Sequence, residues 1–486
     1  MDNVIGDRSH LGLVEDIYKM KCETVINGEA SKDHEEKIIK NGNSHRKAVH
    51  LFEFPEKKFE IRNSLLTDMI ESNPHIKTIY NIFVALLIAL FINTIAHDYL
   101  RTNEIKFGFH IISKAFGKLY ISLITWLGYM TSTFGIFFLF QFWAKIRLNL
   151  SPKSKVIRLW DKFWLICLAC YYITSFRVAS KIVSSYKLPP ASAAIIAIEQ
   201  VRLLMKVHSF VRTKAEAFVK YKLHSEQVVP KVEFMKFLYF LFAPTLIYKD
   251  EYPRTNKIRW DFVFYRALDI VGIIFLYSFV FYRFVFPFFD EFGQRKYTRA
   301  EILAFMFDIT FPSVLLDLAT FYLMLHAVQN LFAELLRFGD RMFYKDWWRS
   351  TTYQQYYKTW NVIVYDWLRS YIFKDLYYLT NGNTTVAKLT VFVVSAIVHE
   401  WILTYMLGFF LPFLALQFGT MGLLLYFVNV PQVTFLNILF WYGNALGHTM
   451  NLAIYALEFN ARLVYPSDGS WRDYLVPKFV SCDCIV

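Results

Sequence analysis

Residues 401–457 read WILTYMLGFFLPFLALQFGTMGLLLYFVNVPQVTFLNILFWYGNALGHTMNLAIYAL, with no Asp, Glu, Lys or Arg. One crossing of a bilayer needs about 20 apolar residues. The run therefore holds two crossings and part of a third, broken at Asn429-Val430-Pro431, where proline cannot continue a helix. No soluble core asks for an uncharged stretch of this length. The fold class follows from it: an all-α, polytopic membrane protein.

The rest of the chain agrees. Of its 486 residues 55% are hydrophobic, 19% aromatic and only 19% charged, and the mean hydropathy is positive (+0.30). A soluble protein of this size needs more charge to cover its surface. Phe and Tyr, 49 and 31 copies, suit a lipid-facing surface with aromatic belts. A net charge of +13 would fit nucleic-acid binding in a soluble protein. Here the Lys and Arg fall mostly in loops between apolar runs, as cytoplasmic loops do, so no nucleic acid is expected.

Crossings are read at Thr78–Ala96, Leu119–Ala144, Trp160–Phe176, Leu188–Val211, Phe262–Phe288 and Ile302–Phe332. With the run that carries His399 and the stretch after it, the total is about nine. Lys145, Arg147, Lys153, Lys155 and Arg158 form a basic loop that places the N-terminus on the same, cytosolic side; nine crossings then send the C-terminus to the lumen. Residues 1–75 are polar and mixed in charge, with no basic-plus-apolar leader: a cytosolic region, partly disordered or self-associating, ahead of a membrane domain over 76–486.

Charges inside the crossings carry information because each is costly there. Glu199, Arg202 and Lys206 recur at three and four residues, on one helix face, either paired within the protein or as a solvated stripe at the membrane edge. Asp269, Asp308 and Asp317 should face neighbouring helices. Gly443 and Gly447 allow close helix packing. Cys22, Cys167, Cys170, Cys482 and Cys484 form neither a disulfide framework nor a zinc pattern.

The chemistry concentrates between Phe343 and Trp401. Phe343-Tyr344-Lys345-Asp346-Trp347-Trp348 has the composition of an interfacial helix anchored by tryptophans. Trp360, Ile363 or Val364, Trp367 and Tyr371 form an apolar stripe at helical spacing, with Asn361 and Tyr365 on the neighbouring face. An asparagine there either orients a carbonyl oxygen or is simply a satisfied polar group. His399, with Ser395 one turn before it and Glu400 beside it, makes a polar patch in Val391–Leu407. A neutral imidazole among apolar groups can take a proton from an alcohol, or serve as a helix–helix hydrogen bonder. Position 403 is Leu, so the H-E-x-x-H zinc pattern is absent; no G-x-S-x-G elbow or phosphate-binding glycine loop occurs, and no metal is expected.

Phe343 to Trp348, the following Trp360-Asn361 and Val394-Ser395-Ala396-Ile397-Val398-His399-Glu400 resemble the membrane-bound O-acyltransferase superfamily, and within it the sterol O-acyltransferases. Phe240 to Tyr248, Leu335 to Met342, Leu188 to Ser192, Tyr252-Pro253-Arg254 and Asp473-Tyr474 extend the likeness from about Thr78 to the C-terminus. The resemblance implies about nine helices enclosing a buried reaction chamber. It implies a multi-pass protein of the endoplasmic reticulum that works as a dimer or tetramer. Acyl-CoA would be the donor, a co-substrate rather than a cofactor, and a sterol 3-hydroxyl the acceptor, giving a sterol ester. His399 and Asn361 match the catalytic positions. Trp360 and Ser395, with Tyr344, Asp346, Trp347 and Trp348, match the acyl-CoA path. Arg349 stands where the aromatic motif usually ends in Asn, Tyr365 where relatives carry His, and Thr380–Thr385 is less basic than its counterparts. Diacylglycerol or another long-chain alcohol is the alternative acceptor. A transporter or an inactive scaffold is the reading outside enzymes, weakened by the lack of an internal repeat.

Overall fold

The computed structural model describes residues 54–486, except 105–108, 152–153, 222–227, 429, 467–468, 483 and 486. Most of the polar N-terminal region, Cys22, Lys153 and Asn429 lie outside the described residues. Two compact units form: Arg369–Val391 with 54–56, and Lys57–Leu368 with Phe392–Val486. In the first, Phe54 sets its ring edge-on to Phe373, Tyr377 and Tyr378, at 5.8, 5.3 and 6.0 Å.

Helices dominate. Among the described residues no strand forms, and extended backbone pairs only in isolated bridges such as Arg62 with Asp340. Among the described residues, six helices are long and apolar enough to cross a membrane: Pro74–Arg101, Leu119–Asn149, Lys155–Tyr186, Trp260–Phe289, Thr310–Leu335 and Thr384–Leu407. The other three expected crossings take different forms. Pro190–Lys220 is a full-length helix with internal charges, Phe413–Tyr426 is short and apolar, and Thr434–Val464 runs 31 residues.

The expected crossing over Ile302–Phe332 is interrupted. A helix over Arg299–Asp308 starts with a capping box between Thr298 and Glu301 and stops at Ile309. Pro312 sits in the first turn of the next helix, where its missing N–H costs nothing. Asp308 is thereby exposed at the break, whereas Asp269 and Asp317 do face other helices, as expected.

In a bilayer apolar burial no longer drives helices together, so close packing and interhelical hydrogen bonds of about 0.6 kcal/mol each take over. The contacts follow suit. Gly272 lets the Trp260–Phe289 helix approach Leu87, since a Cβ there would lie 2.9 Å from a Leu87 methyl. Tyr80 donates to Asp269 across the same pair (3.0 Å). Ser313 and Thr449 join their hydroxyls at 2.9 Å, and Gln200 donates to Ser175 (3.2 Å).

The Glu199–Arg202–Lys206 face belongs to the protein interior, not to a solvated edge. Arg202 binds Glu199 at 2.6 Å. Lys206 is buried, and its Nζ donates to the carbonyls of Phe240 and Ala243 at 2.6 and 2.7 Å. Arg202 donates to Leu241 O (2.8 Å). Two cations thus complete the C-terminal end of the apolar Phe234–Phe242 helix, whose last carbonyls lack helical partners. Phe237, Phe240 and Leu241 are driven fully into the core against Phe137 and Phe210. Cys482 and Cys484 lie side by side in the C-terminal segment.

Candidate active site

His399 lies in the Thr384–Leu407 helix, and its Nδ1 is 2.7 Å from the Ser395 carbonyl oxygen one turn back. A carbonyl only accepts, so Nδ1 carries the proton and Nε2 presents a lone pair. The ring stacks on Phe418, centroids 5.7 Å apart and planes 22° apart. His399 is exposed, and at about 100° per residue it lies roughly 120° from Val393 and 160° from Ile397, two exposed apolar residues of the same helix. Ser395 contributes its carbonyl to the tautomer. Glu400 points elsewhere: it is buried, accepts from the Ala415 N–H at 3.1 Å and lies 3.5 Å from the Tyr455 hydroxyl. It anchors the helix that carries His399.

Asn361 is not inside the continuous helix expected from the Trp360-to-Tyr371 stripe. One helix runs Tyr353–Thr359, and Asn361 starts the next, Val362–Trp367, by accepting from the Val364 N–H at 3.1 Å. Asparagine competes well for such N-terminal positions because its side-chain oxygen replaces a missing helix acceptor. Since Oδ1 is committed to that bond, the Nδ2 amine is the end left over. It has no hydrogen-bond partner among the described residues, and it is a pure donor. Trp360 closes the preceding helix; its indole N–H is buried without a partner.

Phe418 links these two segments. Its ring contacts His399 and also Tyr357 (5.7 Å), on the helix that ends just before Trp360-Asn361. Phe392, one turn before Ser395, touches both Tyr357 (5.9 Å) and Phe418 (5.8 Å). Phe418 begins a π-helical turn, Phe418–Gly422; such turns are frequent at functional sites.

The aromatic motif at 343–348 is core, not an interfacial helix. Phe343, Tyr344 and Trp347 are buried, and only Trp347–Arg349 makes a 3₁₀ turn. Trp347 packs on Phe321, Trp441 and Tyr356 at 4.7, 5.6 and 5.9 Å. Tyr356 in turn reaches Trp360 (6.2 Å). Trp348 is partly buried; its carbonyl accepts from the Trp441 indole at 3.1 Å. Asp346 pairs with Arg349 at 3.3 Å, the residue that departs from the usual Asn. The motif therefore supports Trp360-Asn361 from behind.

Tyr344 leads to a residue the sequence reading passed over. Its hydroxyl lies 2.6 Å from His326 Nδ1, and His326 Nε2 lies 2.7 Å from Arg266 Nη1. Arginine only donates, so Nε2 accepts and Nδ1–H faces the tyrosine. Burial pushes the Tyr344 hydroxyl well above the usual phenol range, which keeps it neutral. Arg266 continues to Asp269 (3.0 Å), and Asn330 continues to Ser64 (3.0 Å). This network ties the aromatic motif to two crossings and to the segment before the first. His326 could have been found by the argument that singled out His399, since it too is a titratable residue inside an apolar run. Phe418 and Tyr357 had no such signal among so many aromatics.

A family model described as MBOAT, membrane-bound O-acyltransferase family, matches residues 109–457. The chain is similar to Sterol O-acyltransferase 1 of Cricetulus griseus, 38% identical over 450 residues that cover 91% of this chain and 82% of that protein. It is also similar to Sterol O-acyltransferase 1 of Mus musculus, 37% identical with 92% and 83% covered. Sterol O-acyltransferase 2 of Homo sapiens is 34% identical, with 88% and 80% covered.

Proposed function

Because this chain belongs to the membrane-bound O-acyltransferase family and is an acyltransferase, we propose that it moves a long-chain acyl group from acyl-CoA to the 3-hydroxyl of a sterol. The observation that carries the mechanism is the His399 tautomer. Nε2 takes the hydroxyl proton while the sterol oxygen bonds to the thioester carbonyl carbon. Negative charge collects on the carbonyl oxygen. The Asn361 Nδ2–H group donates to it, a donor whose orientation is held by the hydrogen bond that Oδ1 accepts from the Val364 N–H. The C–S bond then breaks, and His399 returns the proton to the departing thiolate, giving ester and CoA. The balance closes without an acyl-enzyme, and no cofactor is called on. Both substrates are mostly hydrocarbon, which suits the aromatic surroundings that Trp360, Tyr357 and Phe418 give the two segments. Residence in the endoplasmic-reticulum membrane and assembly as a dimer or tetramer complete the reading.

The test is microsomes expressing the chain, given labelled oleoyl-CoA with a sterol or with diacylglycerol. Sterol ester as main product supports the reading. Triacylglycerol as main product would transfer it to the diacylglycerol acceptor, and acyl transfer to neither would overturn it.

Asn361→Asp separates two roles. Aspartate caps a helix as well as asparagine does, so the protein should fold and melt as before. It cannot donate, and its charge opposes the developing oxyanion. Ester formation should fall about a hundredfold, with kcat taking most of the loss. A variant within a few-fold of the parent would remove Asn361 from the chemistry.

A further inference from the structure

The Thr434–Val464 helix carries a polar stripe at Asn437, Trp441, Asn444, His448, Asn451 and Tyr455, spaced alternately four and three residues apart. Asn437 and Trp441 hold the carbonyls of Trp348 and Ser350. Asn451 holds Gln417 at 2.8 Å, and Tyr455 holds Leu411 O at 3.0 Å. His448 differs. Its Nε2 faces Asp317 Oδ1 at 3.4 Å, Asp317 being 9% exposed and His448 35%, while its Nδ1 has no partner among the described residues.

We infer that Asp317 and His448 form a second hydroxyl-binding station, taking a further hydroxyl of the acceptor alcohol while His399 engages the reacting one. This rests on the sterol acceptor proposed above.

Three observations carry it. The first is direction: Leu439 and Tyr442 are on the exposed apolar face of the helix, and His448 lies roughly 180° and 120° from them, so its open side faces inward. The second is place. Gly447, next to His448, accepts from Gln417 Nε2 at 3.3 Å, and Gln417 precedes Phe418, the ring that stacks on His399. The third is surplus polarity. Ser313 and Thr449 already tie the same two helices at 2.9 Å, one turn from Asp317. A carboxylate and an imidazole are expensive additions to a tether that exists without them. Asn451 Oδ1, one turn along the stripe from His448, is also buried without a partner. The Asp317 carboxylate, 3.4 Å away, favours a proton on Nε2, so the bare Nδ1 can accept a hydrogen bond from a hydroxyl, and the Asn451 oxygen offers a second acceptor on the same face.

The experiment compares full-length parent and His448→Leu in microsomes. Each is given labelled oleoyl-CoA with a monohydroxy sterol and with sterol diols bearing the second hydroxyl on the rings or on the side chain. The parent should favour one diol class over the monohydroxy sterol by about tenfold in kcat/KM, the value of one buried hydrogen bond. His448→Leu should abolish that preference through the KM of the diol, and His448→Asn, which keeps an acceptor, should restore part of it. Absence of any diol preference in the parent would overturn the station. So would an equal loss of kcat on every acceptor, which marks a catalytic group, or a lower melting temperature with unchanged preference, which marks a tether. Failure of the parent to esterify any sterol would instead sink the sterol reading itself.

Discussion

His399→Ala should remove acyl transfer almost completely, by roughly 10²–10⁴-fold, measured as labelled sterol ester per amount of enzyme in microsomes. Loss of fold does not explain such a drop. The ring is exposed and its hydrogen bond goes to a carbonyl of its own helix, so truncation costs only about 1 kcal/mol of stability. His399→Gln sharpens the point. A glutamine amide can still donate to the Ser395 carbonyl, but it supplies no base, so its activity should fall as far as that of the alanine variant while expression and melting follow the parent. Ester formation within a few-fold of the parent in either variant would refute the general-base assignment. The Asp317–His448 pair would then be the next base to examine.

The second large effect concerns folding. Glu334 is fully buried. It accepts from Arg341 Nη1 at 2.6 Å, from Arg259 Nη2 at 3.0 Å and from the Arg259 N–H at 2.8 Å. Burial pulls the Arg341 guanidinium below its ordinary range, and Glu334 works against that pull. Glu334→Ala leaves Arg341, 1% exposed, as an uncompensated buried charge. The expected cost is about 3–5 kcal/mol, seen as a reduced folded yield and an earlier melt in detergent. Removing both charges with Glu334→Leu and Arg341→Met should be milder than the single change, because the fully buried ion leaves with its partner, while Arg259, 33% exposed, keeps Glu71 at 3.7 Å. A single variant that melts with the parent would show that the cluster is not needed.

Much of this was legible along the chain. The charge-free run at 401–457, the basic loop near 145–158 and the isolated His399-Glu400 in apolar surroundings each follow from the cost of polar groups in hydrocarbon, which acts residue by residue. The motifs at 343–348, 360–361 and 394–400 carried the family. The same reasoning misplaced Asn361 inside a helix, because an apolar stripe at helical spacing continues straight through a position where the backbone breaks. It also read 343–348 as an interfacial helix, since tryptophans at a membrane edge and tryptophans in a core have the same composition.

Sequence alone therefore determined the class, the membrane setting, the family and the candidate base, all of which depend on local composition and spacing. Tertiary structure decided which nitrogen of His399 carries the proton and which end of Asn361 remains to donate. It also paired His326 with Tyr344 of the non-helical aromatic segment, and Asp317 with His448 across two helices. The physical reason is that hydrogen-bond roles are assigned by partners. Those partners lie on other helices or at a helix turn that only the folded backbone defines.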